Sequence, residues 1–153
     1  MNLLNYSLAA LIAYIGLFIG FILAIIAKEE IKPGKKYFIL LQKIILLLIF
    51  IFLLLFINLK YVVVLLILAF ILISILRTKK EFNELPYIYI ILAIIFYLSS
   101  KNLNLFIIES SLIFLYGVPI GTLMTKKSKK ETIIELLKNI PFILIAVILF
   151  LIF

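Results

Sequence analysis

Residues 3–57 read LLNYSLAALIAYIGLFIGFILAIIAKEEIKPGKKYFILLQKIILLLIFIFLLLFI, two long apolar runs that flank a short lysine-rich stretch. The first apolar run covers 3–27 and the second covers 37–57. About 20 consecutive apolar residues in a helix, at 1.5 Å per residue, cross the roughly 30 Å hydrocarbon core of a bilayer. The stretch therefore predicts two transmembrane helices joined by a basic loop.

The same alternation continues through the rest of the chain. Further spans are predicted at 59–76, 85–100, 103–124 and 132–153, the last of them with a kink at Pro141. A capping box at Ser128 and Glu131 introduces an amphipathic stretch before Pro141, which predicts an interfacial segment or, alternatively, one continuous kinked helix. The predicted fold class is all-α: a single integral membrane domain that forms a polytopic transmembrane bundle of six spans.

Positive charges are concentrated between the apolar runs. Thirteen of the 15 Lys and Arg residues form three clusters: Lys28, Lys32, Lys35, Lys36 and Lys43; Arg77, Lys79 and Lys80; Lys126, Lys127, Lys129, Lys130 and Lys138. The other two, Lys60 and Lys101, stand alone in the intervening gaps. Lys and Arg favour the cytoplasmic side of a membrane. The pattern predicts a multi-pass protein of the cell membrane, with its basic loops in the cytoplasm and both termini outside.

The composition limits the partners that the chain can have. Hydrophobic residues make up 67% of the chain and charged residues 14%, which excludes a water-soluble domain of this length. The net charge of +8 lies in membrane-flanking loops, so anionic lipid headgroups are the predicted partners and nucleic acid is not. Within the first of these loops, Lys32-Pro33-Gly34-Lys35 is predicted to form a type II turn.

Four residue types are missing from the chain: Cys, His, Asp and Trp. Without them it contains neither a Ser-His-Asp nor a Cys-His nucleophile system, and it lacks the usual ligands of a zinc site. We therefore predict a non-enzymatic protein with no catalytic residues, no bound metal and no cofactor.

Glu109 is the only acidic residue inside an apolar span. On a helix it shares a face with Asn102 and Tyr116, and Tyr14 in the first span is the predicted hydrogen-bond partner of its carboxyl group. One interpretation is a polar stripe along an ion or proton path, because intramembrane acids often mark such paths. The alternative is a protonated carboxyl that hydrogen-bonds a neighbouring helix and serves only packing. Tyr6, near the start of the first span, is predicted to be an interfacial anchor.

Two GxxxG pairs, Gly16/Gly20 and Gly117/Gly121, lie in the first and fifth spans. Small residues four positions apart allow two helix backbones to approach closely. The pairs predict that these spans pack in parallel within one chain, or alternatively that they form a homodimer. Pro119, between the second pair, is predicted to kink the fifth span.

Three functional hypotheses remain open. The first is a non-enzymatic membrane subunit or a structural and assembly component, which acts as a homo-oligomer or with a partner subunit in the membrane. The second is a small transporter or channel subunit that uses Glu109. The third, a lipid-modifying membrane enzyme, would have to operate with Glu109, Tyr14 and the lysine-rich loops alone.

Overall fold

A computed structural model describes residues 2–56, 85–124, 133–134 and 136–152. These residues are almost entirely helical, and none of them forms a β-strand. The five helices are α1 (Leu3–Ile26), α2 (Lys28–Phe56), α3 (Leu85–Ser99), α4 (Leu103–Leu123) and α5 (Pro141–Ile152). The predicted third span at 59–76 and the predicted capping box at Ser128 and Glu131 lie outside the described residues.

Among the described residues, three helices are long and apolar enough to cross a membrane: α1, the Pro33–Phe56 part of α2, and α4. The 24 residues of α1 extend over about 36 Å. With 15 and 12 residues, α3 and α5 are apolar but shorter, and extend over about 22 Å and 18 Å. The described part is therefore an all-helical, membrane-embedded protein with three candidate spans, and the predicted fourth and sixth spans are represented by shorter helices.

The predicted turn at 32–35 is wrong, because α2 begins at Lys28 and continues through this stretch. Only Ala27 separates α1 from α2, and no described glycine has a positive φ. Pro33 is the sixth residue of α2 and has no N–H to donate to the Glu29 carbonyl, so the helix continues past it with one hydrogen bond missing. Glu29 and Glu30 in the first turn also favour a helix start at Lys28, since acidic side chains interact favourably with a helix N-terminus.

The predicted sixth span is interrupted, so the alternative of one continuous helix is wrong. Residues 133–134 and 136–137 are helical, 138–140 form a turn, and α5 starts only at Pro141. Pro141 occupies the first helical position, where the missing N–H carries no penalty, and it therefore begins a helix instead of kinking one. Pro119, by contrast, lies inside α4, which continues to Leu123.

The helices α1 and α4 pack in parallel, as the two GxxxG pairs predicted, and make the most extensive helix–helix contact in the described part. A Cβ atom added to Gly16 would collide with the Phe114 carbonyl, and one added to Gly20 would collide with the Val118 carbonyl. Residue numbers therefore rise together along both helices. The prediction of parallel packing within one chain is confirmed.

The helix α3 runs antiparallel to this pair. Near its start, the Tyr89 ring lies 6.5 Å from that of Tyr14 and 6.3 Å from that of Tyr116. Near its end, the Phe96 ring lies 5.1 Å from that of Tyr6. The chain then turns through 100–102 and enters α4, so the starts of α1 and α4 lie at the same end of the bundle, together with Lys101. The connection at Ala27, which leads into the first basic cluster, lies at the opposite end.

The helix α5 begins in the middle of the bundle. The Phe142 ring is 6.0 Å from that of Tyr89, while the Phe150 ring stacks on Tyr6 at 4.3 Å. The α5 helix therefore runs from the middle of the bundle towards the end where α1 starts. The turn that precedes it contains the buried residue Asn139. The predicted amphipathic segment before this turn is described only at 133–134 and 136–138, and its interfacial position stays a prediction.

Candidate functional site

Glu109 lies on the buried face of α4. Its side chain is 0% exposed, and this face continues through Ile113, Tyr116 and Ile120 at helical spacing. Neither carboxyl oxygen has a hydrogen-bond partner in the part of the chain that the structure describes. A charged side chain at the centre of a bilayer costs about 2.5–3.5 kcal/mol on insertion scales. Glu109 is therefore the most unfavourably placed acid among the described residues.

The predicted hydrogen bond between Tyr14 and Glu109 is wrong. The Tyr14 hydroxyl donates to the backbone carbonyl of Leu136 at 2.7 Å. The Leu136 carbonyl also accepts a hydrogen bond from the Asn139 N–H in the turn at 138–140, and its second lone pair receives the phenol. Tyr14 therefore holds the turn before α5 against the middle of α1.

Tyr116 meets α2, because Gln42 Nε2 donates to its hydroxyl oxygen at 3.3 Å. Tyr116 lies two turns beyond Glu109 on the same face of α4, a rise of about 10 Å. Gln42 was not predicted to take part in the site. A sequence signal for it did exist, since Gln42 is a polar residue inside the apolar run of α2 that carries no charge to draw it to the interface.

Tyr89 is a further buried residue that the sequence analysis did not identify. Its side chain is 1% exposed, and its hydroxyl has no hydrogen-bond partner among the described residues. Its ring lies between those of Tyr14 and Tyr116. We refer to Tyr14, Tyr89 and Tyr116 as the tyrosine cluster. It brings together three helices, and the two predicted site residues Tyr14 and Tyr116 both belong to it.

Tyr6 does not have the environment of the predicted interfacial anchor. It is 0% exposed, its ring stacks on that of Phe106 at 5.7 Å, and its hydroxyl has no partner in the described ranges. Phe106 lies one helical turn before Glu109 on α4. Tyr6 and the tyrosine cluster therefore lie on opposite sides of Glu109 along the bundle axis.

Asn102 is placed at the N-terminus of α4, where its side-chain oxygen accepts hydrogen bonds from the N–H groups of Asn104 and Leu105 at 3.0 Å and 3.3 Å. Asn2 caps α1 in the same way, accepting from the Asn5 N–H at 2.9 Å. Asn102 is exposed and its oxygen is occupied by the cap. Of the predicted polar stripe, Glu109 and Tyr116 are thus buried together, while Asn102 begins the helix.

Comparisons with protein-family models, with curated proteins and with solved structures gave no match. The chemistry of the site itself is therefore the guide to the function of this chain. Across the described ranges, no three His, Cys, Asp or Glu side chains come together in a group suited to a metal ion. The site offers one carboxyl group, several phenol hydroxyls and one amide.

Proposed function

We propose that this chain is a non-enzymatic, multi-pass protein of the cell membrane that acts as a small transport or channel subunit. In this proposal Glu109 is the group that binds and releases a cation or a proton. The observation that carries the proposal is the position of its carboxyl group: buried inside an apolar bundle, with both oxygens lacking a hydrogen-bond partner in the described part of the chain.

The unpartnered carboxyl argues against a role for Glu109 in packing alone. A residue kept for packing would be expected to make the hydrogen bond that compensates for its burial, because nearly all buried polar groups in proteins are paired. The predicted partner, Tyr14, bonds to Leu136 instead. A group that binds a transported ion must exchange partners during its cycle, and a carboxyl group without a fixed internal partner is suited to this.

The proposal includes six spans, cytoplasmic basic loops and outer termini. It is supported by the arrangement of the described helices, in which the first basic cluster and Lys101 lie at opposite ends of the bundle. Because the chain contains no Cys, single-cysteine variants test it directly. An impermeant maleimide applied to intact cells is expected to label the Lys101→Cys variant and to spare Lys36→Cys. Labelling of Lys36→Cys alone would show that the protein has the opposite orientation in the membrane.

A second candidate function, a structural or assembly component, is favoured by the contact between α1 and α4. The glycines at 16, 20, 117 and 121 leave no room for a Cβ atom between the two backbones. Such a contact makes a rigid pair of helices, and a rigid pair suits a scaffold for partner subunits. In this function Glu109 would contribute nothing that glutamine cannot replace.

One substitution separates these two functions. Glu109→Gln preserves the shape of the side chain but removes its ability to carry charge or exchange a proton. We expect the purified Glu109→Gln variant in proteoliposomes to lose ion flux, while its free energy of unfolding stays within about 1 kcal/mol of wild type. The matched control is Glu29→Gln, an exposed glutamate before the Pro33–Phe56 span, which is expected to keep full flux. Undiminished flux in Glu109→Gln would reject the transport function and leave the assembly function.

A further inference from the structure

Three buried side chains carry polar groups with no hydrogen-bond partner in the described part of the bundle. They are the hydroxyls of Tyr6 and Tyr89 and the carboxyl of Glu109. Each comes from a different helix: α1, α3 and α4. Buried polar groups without partners are uncommon in proteins. Three of them in one small bundle point to a common role that fixed hydrogen bonds would impede.

These three groups follow one another along the bundle axis. Tyr6 stacks on Phe106, which lies one turn, or about 5 Å of rise, before Glu109. Tyr89 packs beside Tyr116, which lies two turns, or about 10 Å, beyond Glu109. Glu109 therefore lies between Tyr6, near the end where α1 starts, and the tyrosine cluster in the middle of the bundle.

No side chain in the described residues forms a hydrogen bond with the Glu109 carboxyl. The titratable residues that α1 and α3 place in or beside the bundle are Tyr6, Tyr14, Tyr89 and Tyr97, and α5 contains no titratable residue. On α2, Lys43 is exposed at the surface. A metal cation requires several oxygen ligands, with six or more for Ca²⁺ and six including water for Mg²⁺. One carboxyl group is enough to bind a proton, but it supplies too few oxygen ligands for a metal ion of this kind.

We propose that the ion carried by Glu109 is a proton, and that the Tyr89 hydroxyl is the next side-chain group on its path through the bundle. The proposal rests on the transport function proposed above and specifies its substrate. A hydronium ion gives a proton to the Glu109 carboxylate and leaves water. The resulting carboxylic acid passes a proton through bridging water to the Tyr89 oxygen, while the original Tyr89 hydrogen leaves towards the next water. One proton moves, the carboxylate and the phenol are restored, and nothing is oxidised or reduced.

Among the members of the tyrosine cluster, Tyr89 is the one suited to this step. The Tyr14 hydroxyl donates its hydrogen to Leu136, and the Tyr116 oxygen accepts from Gln42. The Tyr89 hydroxyl has no hydrogen-bond partner in the described residues. Proton transfer needs heavy atoms within about 2.6–3.2 Å, or one intervening water for each longer step, so the rise of about 10 Å from Glu109 requires a short chain of water molecules.

The test compares Tyr89→Phe with Tyr87→Phe in proteoliposomes that contain a pH-sensitive dye. Each substitution removes one hydroxyl from α3 and keeps the aromatic ring, but the Tyr87 side chain is exposed. We expect Tyr89→Phe to lower proton flux by at least about tenfold, and the matched control Tyr87→Phe to keep flux per folded molecule within about twofold. Wild-type flux is also expected to be slower in deuterium oxide than in water.

The possible results separate this proposal from the transport function. If Glu109→Gln abolishes proton flux while Tyr89→Phe leaves it unchanged, the relay through Tyr89 is wrong and the transport function stands. If Glu109→Gln abolishes the flux of Na⁺ or K⁺ and wild type carries no protons, the proton assignment is wrong. If Glu109→Gln changes no flux, both proposals fail.

A second measurement applies even if Tyr89→Phe does not fold. Infrared difference spectra of wild type after a pH change are expected to contain a carboxylic acid band that shifts in deuterium oxide and is missing in Glu109→Gln. Addition of Na⁺ or K⁺ at constant pH is expected to leave this band unchanged. A band that responds to either cation at constant pH would overturn the assignment of the proton.

Discussion

The two halves of the α1–α4 contact are built in opposite ways. In one half, Gly16, Gly20, Gly117 and Gly121 bring the two backbones together without intervening side chains. In the other half, the rings of Tyr6 and Phe106 stack between the two helices, and the same half of α4 carries the buried Glu109 carboxyl, which has no partner in the described residues. The first half has the features of a contact built for stability. The second contains a group that lowers stability, which indicates a role in function.

The largest effect on stability is expected in the glycine half. A Cβ atom on Gly121 would collide with the Leu17 carbonyl and lie 2.8 Å from the Phe21 nitrogen, both of them backbone groups that cannot move aside. Gly121→Leu is expected to lower the free energy of unfolding by about 3 kcal/mol or more, because overpacking at a rigid contact forces the helices apart. Reversible unfolding in detergent micelles measures this change.

Gly34→Ala is the matched control for the glycine half. The atom closest to an added Cβ at this position is 3.2 Å away, in the Phe38 ring, which can rotate aside. Alanine also has a higher helix propensity than glycine, by about 1 kcal/mol. The control is therefore expected to be neutral or stabilising. A Gly121→Leu variant that is as stable as Gly34→Ala would show that the close contact between α1 and α4 is not what stabilises the bundle.

In the Glu109 half an apolar substitution is expected to stabilise the protein. Replacing Glu109 with Met removes a buried polar group without a partner, whose burial costs about 1–3 kcal/mol. We expect Glu109→Met to raise the free energy of unfolding by about 2 kcal/mol and to eliminate flux. A decrease in stability would mean that the carboxyl group makes a stabilising interaction. Both halves of the α1–α4 pair would then contribute to stability.

Tyr14 and Tyr89 offer the same contrast within the tyrosine cluster. The Tyr14 hydroxyl is buried and bonded to the Leu136 carbonyl, so Tyr14→Phe is expected to lower the free energy of unfolding by about 1.5 kcal/mol. The Tyr89 hydroxyl lacks a partner in the described part, and Tyr89→Phe is expected to change stability by less than about 0.5 kcal/mol. Thermal unfolding of the two variants side by side measures the difference. Equal losses would mean that the Tyr89 hydroxyl is also bonded in the folded protein.

The parts of the structure that were predicted from sequence are those set by local chemistry. The length of the apolar runs gave the bounds of α1 and α4 to within one residue, since apolar length determines how far a helix extends through lipid. The spacing of small residues at 16, 20, 117 and 121 predicted that these two helices could touch within one chain or in a homodimer. The positions of the basic loops predicted that the two helices run in the same direction. Glu109 was identified because an acid in an apolar span has a large transfer cost wherever the span packs.

The features of the structure that were not predicted from sequence depend on which helix faces meet in the bundle. Residues 85–99 are apolar on all sides, so their sequence does not indicate that Tyr89 faces the bundle. Likewise, the carbonyl group that binds Tyr14 belongs to Leu136, just before the turn at 138–140, and no sequence pattern brings this turn to α1. The start of α2 was misplaced because Pro-Gly in a lysine-rich stretch is typical of a turn, whereas the helix here contains Pro33 and continues past it.

The smallest expected effect concerns Asn102, which was predicted to share a polar stripe with Glu109. Its side-chain oxygen accepts two backbone N–H groups at the exposed start of α4. Asn102→Ala is therefore expected to lower the free energy of unfolding by about 1 kcal/mol, the usual loss for an N-cap, and Asn102→Gly by a few tenths of a kcal/mol. Proteoliposome flux per folded molecule is expected to stay at the wild-type level in both variants. A marked loss of flux in Asn102→Gly, whose stability barely changes, would place Asn102 on the same path as Glu109 and extend the functional half of the bundle to its end.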